Sequence, residues 1–389
     1  MSPLQQSDAV GRRRNPFTPT AGATPPLMVG RGDELDDFKE SIVDGPGPPG
    51  LLTLVTGPRG TGKTVMLNAM EDTARSEGWL HLSETATTGL IERLRDGVAG
   101  LAEKTGGDDR SHPPITGVST PVGGVNIEYT DRPDSSLRQS LSQLLDSLER
   151  HGTGIVISVD EVHGGDREEF RQLGVLAQHL VREQRPFALI LAGLPGAISD
   201  LLNDAVLTFL RRAERVELGN VSINDVRSAL QDPIERSGVT ADEEALDAAV
   251  AATEGYPFMI QLVGYNVWRC AEDGHIGVDE AAKGIDRARR RLGNLVHATS
   301  LSDLSDVDKT FLVNMAKDDG TSSVSDIAER MGVRKNYISV YRQRLLDAEV
   351  IRAAGPGWIE FTLPGLRDYL RDHAATLVRS RRAYHHLHD

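Results

Sequence analysis

The sequence predicts an α/β protein: a P-loop core on a mostly parallel sheet, then an all-helical lid, then a C-terminal winged helix-turn-helix domain. Three observations predict it. Short apolar runs alternate with amphipathic helical stretches through the first half, the pattern of a parallel sheet flanked by helices. A glycine-rich loop joins the first of those strands to a helix. Beyond Gly219 the strand signals fade, and a basic helix–turn–helix pattern follows near the end of the chain.

The glycine-rich loop lies in LLTLVTGPRGTGKT, Leu51 to Thr64, and reads G-x-x-x-x-G-K-T. The apolar run Leu51 to Thr56 precedes it, and the helical stretch VMLNAMEDTARSEG follows. Consecutive backbone N–H groups and a helix N-terminus would then face an anion, where the helix dipole favours negative charge. Gly57, Gly60 and Gly62 let the backbone curl round a phosphate without Cβ clashes, with Pro58, Arg59, Thr61 and Val65 completing the loop. Lys63 is placed to reach the β- and γ-phosphates, and the Thr64 hydroxyl to ligate Mg²⁺. The loop predicts binding of a nucleoside triphosphate with Mg²⁺.

A second motif agrees. Ile155 to Glu161 reads IVISVDE, a buried-strand pattern ending in two adjacent carboxylates. This is a Walker B arrangement: Asp160 would hold Mg²⁺ through water, and Glu161 would orient and polarise an attacking water. A glutamate in the second position predicts hydrolysis as well as binding.

At 389 residues the chain has room for two or three domains. The single Cys270 excludes a disulfide framework within one chain and Cys-rich zinc sites, and a reducing interior is its natural setting. No apolar run approaches the roughly 18 residues of a membrane span. The opening MSPLQQSDAVGRRRNPFTPTAGATPP has no apolar signal-peptide core, so a cytoplasmic protein with no membrane association is expected. The net charge of −14 argues against a basic coat. Its distribution matters more, because Ser305 to Asp389 holds 13 Lys and Arg against 12 Asp and Glu. Between Arg330 and Arg352 the basic residues Arg330, Arg334, Lys335, Arg342, Arg344 and Arg352 face only Asp347 and Glu349.

Along the chain, residues 1–26 read as a flexible arm, and residues 27–220 as the P-loop core. LMVGRGDELDDFKESI enters a helix with Asp33 as N-cap. WLHLSETA, Trp79 to Ala86, reads as a strand, and Thr87 to Lys104 as a helix. Ile115 to Tyr129 reads as a β-hairpin around Gly-Gly, with Asp131 and Asp134 capping the next helix. Arg167 to Gln184 is a helix, and the strand FALILAGLP follows Pro186. Residues 221–300 read as a helical lid, in which Arg287, Arg289, Arg290 and Arg291 are expected to be solvated. Residues 376–389 form a basic tail in which His385, His386 and His388 are expected to be unstructured.

Residues 301–375 make the winged domain. DVDKTFLVNMAKDDG is one helix, and SVSDIAERMGV is a second that stops at Gly332. RKNYISVYRQRLLDAEVI is a third, basic helix after a short turn, the recognition position of a helix-turn-helix. Gly355, Pro356 and Gly357 then sit between two strand-like runs, as in a wing hairpin, and a last helix packs behind. Val340 and Leu345, with Ile338 or Tyr341, are expected in the core. Arg334, Lys335, Asn336, Tyr337, Arg342 and Arg344 are expected to face duplex DNA, since Arg and Lys suit phosphates and guanine edges and Asn suits adenine.

Together these parts resemble the AAA+ ATPases, most closely the origin-recognition and replication-initiator clade with its C-terminal winged helix. The resemblance covers roughly residues 27 to 370. It implies that Val29, Gly30 and Arg31, followed by Asp33, Glu34 and Leu35, form the family's N-terminal box against the adenine base. It also implies an arginine finger in TFLRRAER, with Arg212 the first choice and Arg211 the second. Such a finger acts on a neighbouring subunit's nucleotide, so self-association is implied. Two positions depart from the pattern. The strand after Walker B ends Ala192-Gly193-Leu194-Pro195, without the usual polar sensor side chain, and Gly255-Tyr256-Pro257-Phe258 stands where the clade carries a sensor arginine. Both departures are similar to the signal-transducing STAND-type ATPases.

The expected function is an ATPase whose Mg-ATP binding and hydrolysis control how the winged helix engages duplex DNA. The alternative is a signalling NTPase whose winged helix contacts a protein partner or holds the molecule inactive.

Overall fold

The computed structural model describes residues 14–20, 22–105, 118–119, 136–302 and 304–377. Packing separates two units: residues 30–219 with 342–352, and residues up to 29 with 220–341 and from 353 onward.

The first unit begins with α1 (Gly32–Asp44), β1 (Leu52–Thr56), α2 (Lys63–Ser76), β2 (Leu80–Thr85) and α3 (Leu90–Thr105). β3 (Val118–Ser119), α4 (Leu137–Glu149), β4 (Ile155–Asp160), α5 (Arg167–Arg182), β5 (Phe187–Gly193), α6 (Pro195–Leu202) and β6 (Glu214–Glu217) follow. The strands form one six-stranded sheet in the order β3-β2-β4-β5-β1-β6. Its pairings are parallel, with Leu54 opposite Leu191 and Ser83 opposite Ser158. β4 and β5 read as continuous apolar runs because both faces of the sheet are covered.

Alternation divides the strand residues between two cores. Ile155, Ile157, Val159, Leu189 and Leu191 pack with Leu94, Leu141, Leu145, Leu173 and Leu180 of α3, α4 and α5. Val156, Ala188, Ile190 and Ala192 pack on the other face with Phe38, Met66 and Met70 of α1 and α2. The sheet is thereby fixed in register, and its C-terminal strand ends carry the loops that matter below.

Two local expectations change. Asp33 is not an N-cap: α1 starts at Gly32 behind Arg31, and Asp33 lies in the first helical turn, where its charge still complements the dipole. Most of the expected 115–129 hairpin, with Asp131 and Asp134, lies outside the described residues. Its described part, Val118–Ser119, pairs in parallel with β2.

The second unit continues with α7 (Ile223–Arg236), β7 (Thr240–Ala241), α8 (Glu243–Thr253), α9 (Pro257–Trp268), β8 (His275–Ile276) and α10 (Val278–Leu292). These helices bury Leu230, Val250, Leu262, Val263 and Ile285. In the segment expected to be an arm, Phe17 is 2% exposed, and a Cβ on Gly264 of α9 would lie 2.4 Å from its ring. Asn15 anchors the approach, its Nδ2 donating to the Tyr265 carbonyl at 3.0 Å. In the arginine cluster, Arg291 stacks 5.5 Å from the centre of the Tyr265 ring, and Arg287 reaches Cys270 Sγ at 3.2 Å.

A π-helical turn, Gly293–His297, leads through α11 (Ala298–Ser302) to α12 (Asp306–Met315), whose Ser305 and Asp308 form a capping box. β9 (Ser322–Ser323), α13 (Val324–Met331), α14 (Lys335–Asp347), β10 (Ile351–Gly355), β11 (Trp358–Phe361) and α15 (Leu366–Leu377) complete the order. Gly332 ends α13 with φ 68°, the left-handed conformation that glycine adopts without strain, and α14 begins three residues later. The sheet order is β10-β11-β9, with the β10–β11 hairpin following the helix–turn–helix. Ile338 and Leu345 are buried as expected, but Val340 is 56% exposed. Two residues on from Ile338 is about 200° round the helix, which puts Val340 on the opposite face. His385, His386 and His388 lie outside the described residues.

His297 gives this unit a pH dependence. Its Nε2 contacts the Pro364 carbonyl at 2.9 Å, while Nδ1 is buried without a partner. Burial pulls the imidazole down to about 4, against the pull of the Pro364 carbonyl. A depressed base binds its proton only in the unfolded chain between about pH 6.5 and 4, so its contribution is complete above pH 6.5 and is lost as pH falls towards 4. The contribution is about 3 kcal/mol. Thermal midpoints at pH 7 and 4.5 should fall further for the wild type than for His297→Gln; equal falls would exclude this role.

Candidate nucleotide site

The loop between β1 and α2 adopts the backbone that its glycines permit. Gly60 has φ 74° and Gly62 φ 93°, and Gly62 caps α2, whose first residue is Lys63. Thr61 Oγ1 donates to the Pro58 carbonyl at 2.8 Å and ties the loop across itself. Val65 enters the first turn of α2, whose N–H groups point towards the loop. A Cβ on Gly57 would stand 2.4 Å from the Leu218 carbonyl, so only glycine fits there. Arg59 and Gly60 are exposed at the tip and Pro58 is half-buried.

Lys63 is buried, and its Nζ donates to the carbonyls of Gly57 at 2.8 Å and Pro58 at 3.0 Å. Burial lowers its pKa, and the carboxylates of Glu349, Glu161 and Asp160 oppose that fall. The Thr64 hydroxyl donates to Asp160 Oδ2 at 2.6 Å, joining residues 96 apart in sequence. The other oxygen, Oδ1, accepts the Glu161 N–H at 2.8 Å, so both oxygens of Asp160 are oriented. Glu161 itself is exposed in the left-handed region at φ 56°, and its Oε2 lies 3.1 Å from His163 Nδ1.

Thr64 and Asp160 are hard oxygen donors in contact with each other. They fit Mg²⁺, which is commonly held by one or two protein groups while phosphates and water fill the octahedron. Among the described residues no group of three or more His, Cys, Asp or Glu is placed to hold a metal, so phosphate and water would supply the remaining ligands.

Arg31 donates through Nη2 to the Gly219 carbonyl at 2.7 Å, beside exposed Gly30, and Val29 is half-buried. Arg211 and Arg212 are both exposed, and Arg211 Nε donates to the Leu202 carbonyl at 2.8 Å. Arg334, just before α14, and Asn336, Tyr337 and Arg344 on it are exposed. Arg342 is half-buried, and its Nε is shut off from solvent without a partner.

Three groups at the site escaped the sequence reading. His163 stands two residues from Glu161, a spacing that could have marked it. The Gly196 N–H, in the first turn of α6, and the Glu349 carboxylate gave no local signal. Glu349 follows α14 with φ 55°, and both its oxygens are buried without a hydrogen-bond partner. The Gly196 N–H is directed at that carboxylate without completing a hydrogen bond. Burial pushes the carboxyl up to about 7, while Lys63, Arg59 and the Gly196 N–H pull it down.

The core and site define a P-loop ATPase fold of the AAA+ type, and residues 27–191 match the AAA ATPase domain family. The chain therefore carries an AAA ATPase domain. Residues 294–370 match a domain of unknown function, DUF8462. Among solved structures, the Walker-type ATPase paby2304 of Pyrococcus abyssi is similar at TM-score 0.65 and 16% identity, over 88% of this chain and 96% of that one. The ORC2 protein of Aeropyrum pernix, in its ADPNP-ADP complexes, is similar at TM-score 0.61 and 12% identity, over 94% and 98%. The replication factor C large subunit of Methanopyrus kandleri is 26% identical over 217 residues. That match covers 55% of this chain but only 35% of the relative's length. No helix among the described residues is long and apolar enough to cross a membrane.

Proposed function

We propose that this protein binds Mg-ATP in the P-loop, hydrolyses it, and uses that cycle to control engagement of duplex DNA by its C-terminal winged helix. The observation that carries the reading is the 2.6 Å contact between Thr64 and Asp160, which brings the P-loop hydroxyl and the strand-end carboxylate to one point. Lys63, Thr61, Gly60 and Gly62 would cradle the phosphates, and Gly30 and Arg31 would lie near the base. Thr64 and Asp160 would hold the metal, which neutralises charge on the phosphates. Glu161 would take up the attacking water, held in place by His163. Arg212 is exposed and would act on a neighbouring subunit's nucleotide, which implies self-association.

The DNA arm of the reading is supported by exposed Asn336, Tyr337 and Arg344 on α14 and exposed Arg334 just before it; Lys335 starts the helix. It is tested by ATP turnover with and without duplex DNA, alongside direct binding over a salt series. Stimulation by DNA is expected, with affinity falling steeply as salt rises. Replacing Arg334 and Arg344 by Ala should weaken binding roughly tenfold or more and flatten the log–log salt slope by about two. Unchanged affinity in the double variant would remove that helix from the DNA interface.

One observation favours a second reading, a signalling NTPase held inactive by its own C-terminal region. The turn after α14 presents Glu349 to the P-loop lysine, and Arg342 is half-buried instead of exposed. Turnover indifferent to DNA, with nucleotide retained through purification, would favour it.

A further inference from the structure

We propose that the Glu349 carboxyl group is seated in the phosphate-binding site, so that the γ-phosphate of ATP and the turn Ala348–Val350 compete for the same donors. The inference rests on the P-loop being the nucleotide site.

Residues 342–352 pack in the same unit as the P-loop, and Glu349 stands at the tip of that segment. Leu345 and Val350 flank it as buried anchors, while the backbone turns through φ 55° at Glu349. A glutamate at such a turn occupies the conformation that glycine or asparagine fills most easily. The charges of Lys63 and Arg59 from the loop and the Gly196 N–H at the start of α6 act on the buried side chain. These are a lysine ammonium, a guanidinium and a helix N-terminus, the donor set that a transferable phosphoryl group uses.

The carboxylate fills this seat imperfectly, since both oxygens are buried and neither completes a hydrogen bond. A buried carboxyl group without hydrogen bonds is costly, so the seated state is poised to open. A phosphate brings more charge and a third oxygen, and it can satisfy the Gly196 N–H and the Lys63 ammonium together. The strand end Ala192-Gly193-Leu194-Pro195 offers no polar side chain, so the Gly196 backbone N–H takes that place for whichever anion is bound.

The test is direct binding of ATP, ADP and AMP to the full chain carrying Glu349→Gln, with Glu349→Asn as a second variant that tolerates the left-handed turn. Asp347→Asn, which removes an exposed charge two residues away, is the control. Thermal midpoints report folding. Both Glu349 variants should bind ATP about tenfold or more tightly than wild type, a gain of about 1.4 kcal/mol. AMP affinity and the Asp347→Asn variant should stay within about twofold of the wild type. In hydrogen exchange, a non-hydrolysable ATP analogue should deprotect residues 342–352 of the wild type.

Unchanged ATP affinity in folded Glu349 variants, or an equal gain in Asp347→Asn, would overturn the competition. So would continued protection of 342–352 with the analogue bound. If ATP binding is lost in Lys63→Ala while Glu349→Gln matches the wild type, the competition alone fails. If Lys63→Ala binds ATP like the wild type, the P-loop assignment fails with it.

Discussion

Replacing Lys63 by Ala should abolish ATP binding at concentrations that saturate the wild type. The Nζ is buried and bonded to the Gly57 and Pro58 carbonyls at 2.8 and 3.0 Å, so the loop holds a cation ready inside it. An ammonium taken out of water gains most when a phosphate replaces those carbonyls, because the attraction acts at low local dielectric. Removing one member of a buried charged pair costs about 2–5 kcal/mol, roughly 30-fold to several thousandfold in affinity. Arginine should not restore it, since a planar fork does not fit a space shaped for a point charge. Isothermal titration with ATP checks this, with the thermal midpoint of the free variant as a folding control. Wild-type affinity in Lys63→Ala would mean that nucleotide sits elsewhere.

Glu161→Gln should separate binding from turnover. Glutamine keeps the size of the side chain and removes its basicity, and a positioned base contributes about 10²–10⁴-fold to rate. The residue stands free of the Asp160 pair: its carboxylate reaches His163 Nδ1 at 3.1 Å, and only its backbone N–H contacts Asp160. ATP affinity should therefore stay within about threefold of the wild type while kcat falls by about a hundredfold or more. Phosphate release and ATP binding on the same preparation read the two effects. Turnover equal to the wild type would take the general-base role away from Glu161.

Much of this was legible before any coordinates. The runs IVISV and FALILAG announce strands covered on both faces because every residue in them is apolar or small, and the sheet buries them so. The loop GPRGTGKT announces itself because left-handed backbone at Gly60 and Gly62 needs glycine, a constraint written in single residues. The helix–turn–helix was legible for the same reason, since Gly332 must take φ 68° to end α13. Val340 was misplaced because the basic helix carries few apolar residues, and its buried stripe reduces to Ile338 and Leu345.

By itself, then, the sequence determined what depends on local periodicity and on backbone freedom: the strands, the phosphate loop, the acidic strand end and the basic helix. Only the tertiary structure decided which distant groups meet. It set Thr64 against Asp160, packed Phe17 onto Gly264, and turned Glu349 towards Lys63 and the Gly196 N–H. Those meetings are fixed by how sheet, helices and turns stack in three dimensions. A carboxylate that ends up buried beside a lysine looks, in the chain, like any other charge on a helix end.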